Sequence, residues 1–268
     1  MKIGFIGAGN MGRAIANGLV AKGVCQANAL LCISASGKGS AIMAEQTGAS
    51  IASSKLELIE QSDIVVLAFK PQHLETISEE EATAASGKLV VSVLAGRSLA
   101  SMKDVFPDAA NLVRVMPNTP SQIGKGVSTF CFEKVPSDEQ KETVEELLAS
   151  LGTAYEVVEE QLHVATVING CGPAFYFRIA QLISEAADKR GLDKDLALRL
   201  AAETGIGSLE LLLASKRDPK DLIDEVVSPN GVTHALLTSL DRQGLPAIIE
   251  QSTEDAANRS IELSQNKK

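Results

Sequence analysis

Short apolar runs alternate with amphipathic stretches along the first part of the chain, and the alternation predicts strands and helices in turn. Lys2–Ile6 reads as a strand and Met11–Lys22 as a helix; Leu30–Ser34 is a second strand, followed by a helical stretch at Ser40–Thr47. The run Asp63–Phe69 (D-I-V-V-L-A-F) is continuously apolar after its first residue, as in a parallel strand covered on both faces. Further strands are expected at Leu89–Leu94, Leu112–Met116 and Gly126–Phe132. Ser137–Ser150 reads as an amphipathic helix: Ser137 can cap it, Gln140 takes the capping-box position, and Gly152 is expected to stop it. Ala154–Val158 is the last expected strand. This rhythm predicts a doubly wound, mostly parallel sheet.

After about Glu160 only helical periodicity is found. Phe177, Ala180, Ile183 and Ala187 share one helical face, and Leu196, Leu200, Leu209, Leu212 and Leu213 continue in the same style. The expected organisation is a Rossmann-like α/β domain over 1–160 and an all-α domain over 161–268. A thin helical layer rich in alanine and leucine buries little surface alone, so a dimer is expected. The apolar stretch Val164–Phe177 is interrupted by Gly170, Gly172 and Pro173 and is too short for a membrane span, which takes about 20 residues. Nothing at the N-terminus reads as a signal peptide. The polar tail 265–268 is expected to fray.

Composition narrows the classes. The 268 residues carry a net charge of −9, which argues against wrapping a nucleic acid but leaves room for a small anion held by backbone N–H groups. Aromatics are 3% with no Trp, so base-stacking platforms are not expected. Cys25, Cys32, Cys131 and Cys171 form no C-x-x-C pair, and His73, His163 and His234 lie far apart. A reduced, cytoplasmic chain without a metal site is the simplest reading.

Gly7-Ala8-Gly9-Asn10-Met11-Gly12 follows the first strand and opens the first helix. In that context G-x-G-x-x-G binds a dinucleotide. Gly7 permits the tight turn, Gly9 the approach of the pyrophosphate, and Gly12 the close packing of helix on strand. The plain alternative is a glycine-rich turn with no ligand. An NAD site usually places a carboxylate at the end of the second strand, but no Asp or Glu precedes Glu45. Ser34-Ala35-Ser36-Gly37-Lys38 stands there instead, and its hydroxyls, backbone N–H groups and ammonium suit a 2′-phosphate. NADPH is therefore the expected cofactor, with NADH possible. The plain alternative is a polar turn that discriminates poorly.

Five further segments carry a family resemblance. They are Phe69-Lys70-Pro71-Gln72, Met116-Pro117-Asn118-Thr119-Pro120, Asn169-Gly170-Cys171-Gly172-Pro173-Ala174-Phe175, Gly205-Ile206-Gly207-Ser208 and Ser228-Pro229-Asn230-Gly231-Val232-Thr233. With Gly7–Gly12, in this order, they resemble Δ1-pyrroline-5-carboxylate reductase over essentially the whole chain. The resemblance implies hydride transfer from NAD(P)H to the C=N carbon of 1-pyrroline-5-carboxylate, giving L-proline in the last step of proline biosynthesis. It implies a helical domain that interlocks two subunits, with rings of dimers occurring in the family.

The residues agree with that reading. Ala68, Phe69, Lys70 and Pro71 end a strand where ligands of such sheets lie, and Pro71 forces Lys70 to be extended, so Lys70 can lean over the cofactor. Asn118, after another strand, could meet the nicotinamide. Gly231, Val232 and Thr233 precede the helical run His234–Arg242, so backbone N–H groups there can hold the substrate carboxylate. By the resemblance, Thr233 lies near the imine nitrogen; a threonine is a poor acid, so orientation is its expected role. The resemblance also places Glu159 near the ring nitrogen, and Asn169 and Cys171 in the substrate region. The plain alternatives are a solvated Lys70, Asn118 capping a neighbour, Thr233 capping its helix, and Glu159 in a solvated acidic run.

The segment 169–175 departs from the family form S-G-S-G-P-A-Y: Asn169 and Cys171 replace serines and Phe175 a tyrosine. Asn230, Val232, Glu225, Lys55 and His163 are further departures. Cys171 is read as a buried small side chain. A related imino-acid reductase and a non-catalytic nucleotide-binding paralogue remain as alternatives. A β-hydroxy-acid reductase would want a G-x-x-x-N-x-x-K helix, which is absent.

Overall fold

The computed structural model describes residues 1–265. Strands β1 (Ile3–Ile6), β2 (Leu30–Ile33), β3 (Ser50–Ile51), β4 (Ile64–Leu67), β5 (Leu89–Ser92), β6 (Asn111–Met116), β7 (Gly126–Phe132) and β8 (Gly152–Glu156) form one sheet in the order β3-β2-β1-β4-β5-β6-β7-β8. Neighbours from β3 through β6 are parallel. β7 runs antiparallel to β6, and β8 runs parallel to β7. The expected mostly parallel, doubly wound sheet is what the chain forms, and the order reverses between β1 and β4.

The helices of the first part are α1 (Asn10–Ala21), α2 (Lys38–Thr47), α3 (Lys55–Gln61), α4 (Glu79–Ala84), α5 (Leu99–Val105), α6 (Asp138–Ala149) and α7 (Leu162–Ala165). Successive strand residues feed opposite layers, because side chains alternate across a sheet. Ile3, Phe5, Ile64 and Val66 join Ile15 and Leu19 of α1 and Leu147 of α6 on one face. Ile6, Val65, Leu67 and Val90 join Leu58 and Ile59 of α3, Leu74, and Leu99 and Met102 of α5 on the other. Both faces are covered, which is why β4 is apolar without alternation.

Several elements differ from the sequence expectation. β3 and α3–α5 are too short to show a period, although Ser54, Ser78 and Ser98 cap the three helices with their side chains. The Ser137–Gln140 capping box forms as expected. Gly152 does not stop α6, which ends at Ala149; it opens β8 two residues earlier than expected, where a Cβ would strike the Gly126 carbonyl.

Beyond β8 every described element is helical: a π-turn at Thr166–Gly170, then α8 (Gly172–Asp188), α9 (Lys194–Ser215), α10 (Pro219–Val226), α11 (Val232–Arg242) and α12 (Leu245–Gln265). Gln265 closes α12, and the rest of the tail expected to fray, 266–268, lies outside the described residues. Two compact units result. One comprises Met1–Pro173 and the chain from Ala256; the other is Ala174–Asp255. In the second unit the apolar face expected of α8 is bare: Phe177 is 68% and Ile183 50% exposed. Large side chains left uncovered along a helical layer are what a partner surface requires. No helix among the described residues is long and apolar enough to cross a membrane.

Candidate active site

The turn after β1 is built for close approach. Gly7 has φ +102°, and a Cβ on it would run into the Ala68 and Phe69 backbone at the end of β4. A Cβ on Gly12 would lie 2.8 Å from the Gly7 carbonyl oxygen and 3.2 Å from the Ala68 methyl, so α1 packs tightly against β4. Gly9 is the N-cap of α1, has no side-chain cap, and no described residue would lie within 4 Å of a Cβ placed on it. No acidic residue occupies the first turn of α1. An uncapped helix start with open space over its N-cap fits a pyrophosphate, whose negative charge the helix dipole favours. Arg13 sits beside it, donating to the Ala8 carbonyl (2.8 Å) and to Asn10 Oδ1 (2.8 Å).

Over the ends of β2 and β3 lies a cavity of about 530 Å³ lined by Gly7, Ile33, Ser34, Gly37, Ala52, Lys55, Phe69, His73 and Thr76, among others. This is where the adenosine half of a dinucleotide lies in a doubly wound sheet. Ser34 Oγ is 2.8 Å from Ser40 Oγ and accepts from the Ser40 N–H (2.9 Å), so this hydroxyl braces the start of α2. Ser36 and Lys38 are exposed, and Gly37 caps α2 in the left-handed conformation without a side-chain cap bond. Lys70 is extended (φ −75°, ψ 134°), as its place before Pro71 demands, and exposed.

Asn118 and Asn169 form a buried pair across β6 and β7. Asn118 donates to the Asn169 carbonyl (3.1 Å) and accepts from the Val127 N–H (2.9 Å), so both ends of its amide are used within the protein. Asn169 donates to the carbonyls of Met116 (2.7 Å) and Val127 (3.1 Å). Its Oδ1 is buried with no hydrogen-bond partner among the described residues. The π-turn sets this geometry: the Cys171 N–H donates back to the Thr166 carbonyl (2.9 Å). Cys171 is exposed, not buried as the sequence suggested. The turn delivers it to the wall of a second cavity of about 230 Å³, shared with Leu94, Met116, Leu162, Thr166 and Ser260.

Glu159 is not part of a solvated acidic run. Its Oε1 accepts from Arg114 Nη1 (2.8 Å) and from the Leu99 N–H at the start of α5 (2.8 Å). Arg114, Glu159 and Cys131 form a charged knot that the sequence did not announce, because β6, β7 and the segment after β8 bring them together from distant positions. Burial first, then Glu159, pushes the Cys131 thiol up to about 12, so it stays a thiol. His163 is held below its usual range by burial and by Arg114, with Glu159 opposing, and its Nδ1 is 3.0 Å from Ser260 Oγ.

In the second unit α11 begins two residues before the expected helical run. Gly231 is its N-cap without a side-chain cap bond, and Thr233 lies inside the first turn rather than capping it. Asn230 has φ +60°, and the Gly231 N–H donates to the Ser228 carbonyl (2.9 Å). This turn leaves the first N–H groups of α11 directed out of the helix end. Val232 is 89% exposed, and no described residue hydrogen-bonds the Thr233 hydroxyl.

Comparison with known proteins adds the following. Residues 159–263 match a family model described as pyrroline-5-carboxylate reductase dimerisation. Residues 2–96 match one described as NADP oxidoreductase coenzyme F420-dependent. A pyrroline-5-carboxylate reductase of Pseudomonas aeruginosa is 35% identical over 98% of this chain and 97% of its own length. One from Arabidopsis thaliana is 31% identical over 99% and 96%. The solved pyrroline-5-carboxylate reductase of Coxiella burnetii superposes with a TM-score of 0.92 at 29% identity, covering 99% of both chains. The Plasmodium falciparum pyrroline carboxylate reductase, solved with NADP bound, gives 0.88 at 29% identity and covers 99% of this chain and 98% of its own.

Proposed function

The chain belongs to the pyrroline-5-carboxylate reductase family, and from that premise we propose that it reduces 1-pyrroline-5-carboxylate to L-proline with NADPH. The observation that carries the reading is likeness along the full length, joined to an uncapped, acid-free start of α1 behind Gly7 and Gly9. When bound, the nicotinamide supplies a hydride to the imine carbon. The protein's own residues bind and orient. The Gly7–Gly12 turn and the first N–H groups of α1 hold the pyrophosphate. Ser36, Lys38 and the start of α2 receive the 2′-phosphate, with Ser34 bracing them. Ala68–Pro71 border the cofactor beyond β4. Asn118 acts by fixing the strand end after Met116, and Glu159 by holding Arg114.

The second unit is assigned its own task. The first turn of α11, at Gly231, Val232 and Thr233, offers N–H groups to a carboxylate without an arginine. The free Thr233 hydroxyl is assigned to the ring nitrogen, which it orients; the proton comes from water or an already protonated iminium. Asn169 and Cys171, which stand where the family form has serines, are assigned to the substrate region. We take 1–160 as the cofactor-binding portion and 161–268 as the portion that joins two chains. A homodimer, rings of dimers and a cytoplasmic location complete the proposal.

The test is NADPH oxidation followed with pyrroline-5-carboxylate. Turnover is expected, and Thr233→Ala should lower kcat/KM about tenfold, the weight of one hydrogen bond to a charged or polar reacting group. Tight NADPH binding without turnover of any cyclic imine would leave a nucleotide-binding protein with no reductase activity.

A further inference from the structure

The cavity over β2 and β3 holds a charge that the reading above does not use. Lys55 opens α3 on the wall of that cavity, together with Ser34, Gly37 and Thr76. Its Nζ donates to the Thr76 carbonyl (2.9 Å) and to Glu81 Oε2 (3.0 Å). The same Glu81 oxygen accepts from the Ser78 N–H (2.9 Å) and completes the α4 capping box. The two side chains are only 30% and 13% exposed. The ammonium is thus anchored at both of its bonds, and its charge is cancelled by a carboxylate that the helix cap itself holds in place. Ser34 directly follows β2, at the position that faces the ribose 2′ substituent in this sheet type.

We propose that Glu81 is a specificity-determining residue: by holding Lys55 in an ion pair it keeps the adenosine cavity close to neutral and tempers the preference for a 2′-phosphate. The proposal rests on the assignment of this cavity to the adenosine end of NADPH. Glu81 acts through Lys55, so it is a positioning residue and touches no ligand. Glu81→Gln keeps an oxygen for the Ser78 N–H, since glutamine also serves a capping box, and frees the ammonium. Lys55→Met keeps the stem and strands the carboxylate.

The experiment is isothermal titration of the full-length protein with 2′-phospho-ADP-ribose and with ADP-ribose, which reads binding without turnover. Glu81→Gln should raise the ratio of the two affinities about fivefold, the weight of one unit-charge interaction at contact range in water. Lys55→Met should lower the ratio by about the same factor. The double variant should return to the wild-type ratio. An unchanged ratio in either single variant overturns the proposal, as does a gain in Glu81→Gln that survives the loss of Lys55. If the wild-type protein binds neither ligand, the cofactor assignment falls and this proposal with it; if it binds both and the variants do not move the ratio, only this proposal falls.

Discussion

Replacing Glu159 with glutamine keeps its shape and an acceptor oxygen but removes the charge that Arg114 faces. Arg114 lies in β6 with its side chain 8% exposed, whereas that of Glu159 is 29% exposed. Stranding a buried charge costs about 3 kcal/mol at the low end, and the amide oxygen left in place argues for that end. In a chain of this size the loss lowers Tm by roughly 6–12 °C. Arg114→Met is the milder change. Glu159 keeps the Leu99 N–H at the start of α5 and reaches water, so about 1 kcal/mol is lost. Glu159→Gln should therefore destabilise more than Arg114→Met, and the double variant should recover part of the difference. The assay is thermal unfolding of the full chain at one fixed concentration, paired with KM for the imino acid, which should stay within about twofold because Glu159 is spent on Arg114. Equal losses from the two single variants would refute the burial argument. An unchanged Tm with a raised KM in Glu159→Gln would return this carboxylate to the substrate.

Gly9→Asp should abolish NADPH binding while leaving Tm unchanged or raised, because the space over Gly9 is open and an aspartate suits an N-cap; fluorescence titration and a melting curve together check it. Lys38→Glu should raise the NADPH KM far more than the NADH KM, and equal effects would refute its phosphate role. Because the folded pKa of His163 lies below its usual 6.5, the stability it contributes is present above that value and lost as pH falls through the folded value. His163→Asn should flatten the fall in urea midpoint between neutral and acid pH, and an identical slope in both proteins would refute this.

The sheet and the glycine turn after β1 were legible because they rest on local signals: continuous apolar runs, and glycines whose spacing a turn demands. Lys70 was extended as its proline required. The charged knot was not legible, because Arg114, Cys131 and Glu159 meet only through strand register and the segment after β8. Asn118 carried an honest ambiguity in the sequence, and the structure uses both ends of its amide inside the protein. Cys171 was misread because a π-turn has no sequence period of its own; one extra residue in the turn changes which side chains face outward. The start of α11 was missed by two residues, since Gly231 caps it without any of the side chains that usually mark a helix start.

α12 spans Leu245–Gln265, yet only the chain from Ala256 belongs with the sheet-bearing unit. There Ser260 meets His163, and Leu263 approaches Gly96. An expression fragment cut after residue 160 would therefore lack a piece of its own fold and lay bare the apolar wall around Leu94 and Met116. Anyone seeking a minimal nucleotide-binding module, or grafting this one onto another helical half, must carry the distant closing segment along, joined by a linker to the end of the π-turn.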